Sequence, residues 1–173
     1  MGLPFMPVHG LHGTDYEKIR RDFVKVRDPY SGKEIPVVPA IRPDYCLIHG
    51  AKADRQGNLV IFGTEAHRVA ALASDVVIAT VEEVVDDEDF VAKRGQTFLS
   101  ALHVDYVVPS PQGAHPGLCP GYYPVDEEHI KIYVNQSKTP DNFMDYINKF
   151  VTSLSEEEYR ENVSGRFVES ALP

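Results

Sequence analysis

Apolar positions along this chain fall into short unbroken runs and longer helical stripes, with glycine- and proline-rich stretches between them. Tyr45 to His49 (YCLIH), Leu59 to Phe62 (LVIF), Val76 to Val81 (VVIATV) and Asp105 to Val108 (DYVV) are strand-length runs bounded by turn residues. Runs without polar alternation belong to strands buried on both faces, as in parallel sheets. Glu65 to Ala73 (EAHRVAALA) has high helix propensity and predicts a small-residue face of Ala66, Val69, Ala70 and Ala73. LVIF, this helix and VVIATV then read as a strand–helix–strand unit with a parallel sheet.

Helical spacing recurs elsewhere. Tyr16, Ile19 and Phe23 predict a helix over 15–23, capped by Thr14 or Asp15, and DEEHIKIYV reads as another. Thr139-Pro140 has the cap-then-proline order of a helix start, followed by the stripe Phe143, Ile147, Phe150 and Leu154. Ser155 with Glu158 three residues on forms a capping box for EEEYRENV, and GRFVESALP follows as an unpatterned tail. DPYSGKE and ADRQGN carry turn chemistry, with Asp54, Gly57 and Asn58 fixing a turn between two strands. Two apolar loops fit no element: MGLPFMPVHGLHGTDY at the start, and PSPQGAHPGLCPGYYP over 109–124, with five Pro and three Gly. Loops of that size in a compact domain tend to carry function.

Composition narrows the picture without changing it. At 173 residues, 43% apolar and 25% charged, the chain fits a single globular domain spanning 1–173. Seventeen basic against 26 acidic residues give a net charge of −9, which argues against nucleic acid as a partner. No run approaches membrane-spanning length and no signal-peptide pattern is present, so a cytoplasmic location without membrane attachment is expected. The two cysteines lack metal-ligand spacing, and Cys46 reads as a small core residue. Of the seven histidines, His9 and His12 would need a third ligand to hold a metal, and His49 ends a strand where active-site residues often sit. His67 and His129, on expected helices, read as surface residues. The acidic run EEVVDDEDF reads as solvated. No serine elbow, P-loop or dinucleotide fingerprint occurs, and no nucleophile, base and orienter assemble from the sequence alone.

Four collinear segments carry a resemblance. GLPFMPVHGLHGTDY, VVPAIRPDYCLIHGAKADRQGNLVIFG, VVIATVEEVV and VDYVVPSPQGAHPGLCPGYYPVDEEH together resemble the second half of the α subunit of family I CoA-transferases, the glutaconate CoA-transferase branch above all. The resemblance implies a three-layer α/β/α fold with a mostly parallel sheet and C-terminal helices. It also implies transfer of CoA between an acyl-CoA and a carboxylic acid, with the thioester as substrate and no further cofactor. The catalytic glutamate of such enzymes belongs to a β-type subunit, so no catalytic residue and no metal ligand is assigned to this chain, which is expected to be inactive alone. What remains is a substrate-binding wall: His9, Gly10, Gly13 and Thr14 in the first loop, and Gln112, Gly113, Ala114 and His115 in the second. Many members have Arg where His9 stands, and imidazole cannot reproduce the bidentate carboxylate grip of guanidinium. A separate polypeptide supplying the first half of the α subunit is a further expected partner, packing on Leu3, Phe5 and Met6. Two other readings stay open: a subunit of a ring-cleaving CoA-thioester hydrolase on the same scaffold, and a non-catalytic truncated module.

Overall fold

The computed structural model describes residues 2–63, 65–86, 89–92 and 95–167. They form two compact units, 1–43 and 44–173.

The first unit is built on a three-stranded antiparallel sheet in the order β1 (Phe5–Pro7), β3 (Glu34–Pro39), β2 (Val24–Arg27). Val37 is its buried centre. Between β1 and β2 the glycine loop makes one 3-10 turn, His9–Leu11, and then α1, Tyr16–Ile19. The sequence predicts a helix through Phe23, but Arg20 is already extended at φ −90°, ψ 99°. Arg20 instead forks onto Asp22 at 2.6 and 2.8 Å, a local pairing that a continued helix would not allow.

The second unit holds a five-stranded mixed sheet. Its order is β7 (Gln96–Leu99), β5 (Leu59–Phe62), β4 (Tyr45–Ala53), β6 (Val76–Val84), β8 (Tyr106–Pro109). β4, β6 and β8 run parallel, whereas β5 and β7 add on antiparallel. The parallel partner of β6 is therefore β4 rather than LVIF. β5 folds back on β4 through the Asp54 turn, where Asp54 accepts from the backbone N–H of Gln56 and Asn58 and from the Asn58 amide. A turn that tight forces an antiparallel hairpin, and the crossover to β6 is made by α2 (Glu65–Ala73).

The core comprises Cys46, Ala53, Leu59, Ile61, Val77, Ala79, Val81 and Leu99, with Ala71 from α2. Ala66, Val69, Ala70 and Ala73, expected to face the sheet, are exposed. The helix instead turns Ala71 inward, with His67 Nδ1 2.9 Å from the Phe62 carbonyl at its start.

After β8 come α3 (Glu127–Gln136), α4 (Pro140–Ile147), a π-type turn over Asn148–Thr152 and α5 (Glu156–Phe167). Thr139 caps α4, and Ser155 and Glu158 form the reciprocal capping box of α5. α5 absorbs the first residues of the expected tail; 168–173 lie outside the described residues, as do Asp87 and Glu88 of the acidic run. Tyr133, Phe143, Tyr146 and Phe150 interlock as an aromatic cluster between the helices. No helix among the described residues is long and apolar enough to cross a membrane.

Candidate functional site

The second loop leaves the sheet at the C-terminal ends of β6 and β8, the end of a parallel sheet where ligands usually bind. Strand alternation places Thr80 and Glu82 on one face of β6, and the parallel register sets His49 beside Thr80. His49 Nδ1 lies 2.8 Å from Thr80 Oγ1, and Nε2 lies 2.7 Å from Glu82 Oε1. Tyr123 donates its hydroxyl proton to the same carboxylate oxygen, and the Gln112 N–H donates to Oε2 at 2.7 Å. A buried carboxylate on β6 thus collects partners from β4 and from both ends of the loop. Burial raises its pKa, but the hydrogen bonds from His49, Tyr123 and Gln112 outweigh that, and Glu82 titrates below the ordinary value.

This carboxylate holds the loop in a strained form. Gln112 sits at φ 62°, where non-glycine residues are uncommon. Gly113 follows because nothing larger fits: a Cβ there would stand 2.8 Å from the Ser110 carbonyl and 2.9 Å from His49 Cε1. Gly113→Ala is therefore expected to lower stability by about 1–3 kcal/mol, read as a reduced urea midpoint with unchanged slope. A loss below about 0.3 kcal/mol would mean that the turn yields freely.

Successive turns then consume the loop's own amides. The N–H of Gly113 bonds to Ser110, that of His115 to Gln112, and that of Ala114 to the Tyr123 hydroxyl at 2.9 Å. With Gln112 on Glu82, all four amides of 112–115 are engaged within the chain. The loop offers a ligand its shape and its carbonyls rather than a set of spare N–H donors. His115 is also committed: its fully buried ring lies 2.6 Å from Tyr159 Oη through Nδ1 and 3.2 Å from Asp126 Oδ2 through Nε2. Neither nitrogen points to an acyl carboxylate.

Asp126 caps α3 by accepting the His129 N–H at 2.9 Å, and His129 Nε2 bonds Tyr146 Oη at 2.8 Å. His129, expected at the surface, is only 1% exposed, because α3 lays its first turn against α4 rather than solvent. His67 is exposed as expected. Cys119 is buried, and burial together with the Glu82 charge pushes its thiol up to about 12, which leaves it protonated and unreactive. Two sets, His49/Glu82/Cys119 and His115/Asp126/His129, bring possible metal ligands within 4.8 Å of one another. Hydrogen bonds within the chain join the members of each set, the geometry of a packed polar network.

The first loop lies in the other unit. Gly13 takes the left-handed conformation at φ 76°, and Thr14 Oγ1 bonds the Leu11 carbonyl at 2.8 Å. Gly10 has open space around it. His9 and His12 line a groove of ≈ 550 Å³ with Ser31, Lys33 and Glu34 at its exposed rim and Ile35 and Pro36 as an apolar floor. His12 also pairs with Glu17 at 3.4 Å.

Glu82, Tyr123, Asp126 and Tyr159 are the residues that sequence reasoning missed. Only Glu82 has a readable signal, since continuing the alternation of VVIATV puts it on the face of Thr80.

This fold belongs to a known class. The Coenzyme A transferase family model matches residues 1–108, and the chain belongs to that family. The A-type subunit of 3-oxoadipate CoA-transferase from Pseudomonas knackmussii is 32% identical over 151 residues, covering 87% of this chain and 53% of that protein. The crystal structure of glutaconate coenzyme A-transferase from Acidaminococcus fermentans superposes with a TM-score of 0.83 at 28% identity, covering 96% of this chain and 59% of that one. The IpdA subunit of a cholesterol ring-cleaving hydrolase from Rhodococcus jostii is 29% identical over 168 residues, 91% of this chain and 56% of that protein. The chain thus spans about half the length of the curated relatives it matches.

Proposed function

We propose that this chain is the α-type component of a cytoplasmic CoA-transferase that moves CoA between an acyl-CoA thioester and a carboxylic acid. The observation that carries the reading is the match to the corresponding subunits of two such transferases over nearly the whole chain. The site supports it from the other side. Its buried carboxylates, Asp54, Glu82 and Asp126, are all taken up by hydrogen bonds within the chain, which agrees with an attacking glutamate supplied by a β-type partner, as in the family. The substrate-binding residues assigned to this chain are His9, Gly10, Gly13 and Thr14 of the first loop and Gln112, Gly113, Ala114 and His115 of the second, with His115 shaping the turn from within rather than reaching the substrate through its ring nitrogens. CoA enters as substrate, and no other cofactor is invoked. Covalent attack on the thioester divides one difficult acyl transfer into two easier steps. A polypeptide supplying the rest of the α subunit completes the assembly.

The test is co-expression with a β-type subunit and with the polypeptide supplying the rest of the α subunit, incubation with acyl-CoA, and borohydride or hydroxylamine trapping. A glutamyl thioester on the partner, and none on this chain, is the expected result. Turnover by the 173-residue chain alone, or a trapped adduct on it, would overturn the assignment. The hydrolase relative favours a second reading on the same scaffold, in which water ends the reaction. CoA release without a carboxylate acceptor and without a trapped thioester selects that reading.

A further inference from the structure

His115, Asp126 and His129 meet at one point, where the second loop runs into the first turn of α3. All three are buried: the His115 side chain is fully enclosed, Asp126 is 8% exposed and His129 is 1% exposed. Each offers one ligand atom, and those atoms all lie within 4.8 Å of one another. Ligands on a tetrahedral zinc ion stand about 2.0–2.1 Å from the metal and hence about 3.3 Å from each other. His115 Nε2 and Asp126 Oδ2 are already 3.2 Å apart. Asp126 and His129 are three residues apart at the start of α3, a spacing that sets both on one face of the helix.

Imidazoles that ligate a metal are held at their other ring nitrogen by a hydrogen bond that fixes the tautomer and the ring orientation. Both histidines have that partner. Tyr159 Oη lies 2.6 Å from His115 Nδ1, and Tyr146 Oη lies 2.8 Å from His129 Nε2. Asp126 is oriented too, since its Oδ1 accepts the His129 N–H and Oδ2 turns toward His115. A cavity of ≈ 310 Å³ reaches His129 and Tyr159, with Phe150 and Leu154 in its wall and Lys149 and Asn162 at its exposed rim. It gives an ion a path inward and leaves room for water as a fourth ligand.

We propose that His115 Nε2, His129 Nδ1 and the Asp126 carboxylate bind one divalent transition-metal ion of the zinc class. Two imidazoles and one carboxylate are a donor set that suits zinc. The hydrogen-bonded network and the metal site are two states of the same residues. The ion takes the place of the proton between His115 and Asp126, while His115 carries its remaining proton on Nδ1 and donates it to Tyr159. The set His49, Glu82 and Cys119 is built differently. There Glu82 already accepts from Tyr123 at Oε1 and from the Gln112 N–H at Oε2, so an ion would release the turn that this carboxylate holds. At His115 the ion instead ties the Gln112–His115 turn to α3, and through Tyr159 to α5, with no part in thioester chemistry.

The test strips the full 173-residue chain with EDTA, equilibrates it with zinc ions, and reads bound metal by elemental mass spectrometry. One zinc per chain with a dissociation constant at or below about 1 μM is expected. At a free zinc concentration about a hundred times that constant, the thermal midpoint should rise by about 5–10 °C. Asp126→Asn is expected to weaken zinc at least about 100-fold, and Tyr146→Phe, which touches no metal, about tenfold. Cys119→Ser should leave the affinity within about twofold. Cobalt(II) in place of zinc should give the visible bands of a four-coordinate ion without a sulfur-to-metal band. Fewer than about 0.1 zinc per chain overturns the proposal, as does native-like affinity in Asp126→Asn. A sulfur band, or weakening confined to Cys119→Ser, moves the ion to the other set and overturns it equally. Should Asp126→Asn fail to fold, Tyr146→Phe and the cobalt spectrum decide. None of these readouts involves turnover, so the metal site and the functional assignment stand or fall separately.

Discussion

Replacing Glu82 by Ala is expected to destabilise the second unit by about 2–5 kcal/mol, because it strips a buried acceptor from several hydrogen-bonding groups at once. The carboxylate is 7% exposed and answers three groups at once: His49, the Tyr123 hydroxyl and the Gln112 N–H. Deleting it leaves all three without that acceptor, and Gln112 loses the contact that holds it at φ 62°. Glu82→Gln keeps one acceptor oxygen and presents N–H groups where the second stood, so its loss is expected near half as large. The pH dependence follows from the direction of the shift. Because the folded-state pKa of Glu82 lies below its ordinary value of 4.5, its contribution is present above about pH 4.5 and is lost as pH falls through the folded value. Urea midpoints between about pH 7 and about pH 3 should therefore fall more steeply for the native chain than for Glu82→Gln. Parallel curves would remove Glu82 from the acid response. Tyr123→Phe takes away one donor to Glu82 and the acceptor of the Ala114 N–H but leaves the carboxylate in place, which predicts a smaller change than Glu82→Ala, about 1–3 kcal/mol.

The pattern that locates β4, β6 and β8 does not locate Glu82's role, and the reason is physical. A strand buried on both faces shows itself as an apolar run, and a run reads as ended when the first charged pair appears. VVIATV therefore stops at Val81, although the pairing continues through Val84. The charge that breaks the pattern is retained because His49 and Tyr123 meet it from distant positions, and such convergence has no signature along the chain. The caps at Thr139 and Ser155 are legible because their partners lie three residues away. Sheet order is less so. LVIF and VVIATV flank one helix, which suggests a parallel pair, but the Asp54 turn has already committed β5 to the antiparallel side of β4. The rotation of α2 is likewise hidden: a helical projection shows the small-residue face, whereas Ala71, outside that face, is the residue packed in the core. In the candidate site, the glycines and His115 stand out by type. Type alone points the imidazole at a ligand, whereas Tyr159, 44 residues on, and Asp126 occupy both its nitrogens.

That buried imidazole makes Asp126 the second position where a single atom change should be felt strongly. Asp126→Ala is expected to lower the stability of the second unit by about 2–4 kcal/mol, since it removes two interactions of different kinds. One is the N-cap of α3, where Oδ1 accepts the His129 N–H, typically worth about 1 kcal/mol. The other is the pairing of Oδ2 with His115 Nε2, whose loss leaves a fully buried ring nitrogen without that acceptor at a cost of about 1–3 kcal/mol. Asp126→Asn separates them. Its side-chain oxygen still caps α3, while its amide faces His115 and requires the other tautomer, so a loss near about 1–2 kcal/mol is expected. Near-UV circular dichroism through a urea titration follows the surrounding aromatics, and amide exchange at His129 reports the cap directly. Faster exchange at His129 in Asp126→Ala but not in Asp126→Asn, together with lowered midpoints in both, is the result this geometry requires. Equal exchange in both variants would place the whole effect on the imidazole.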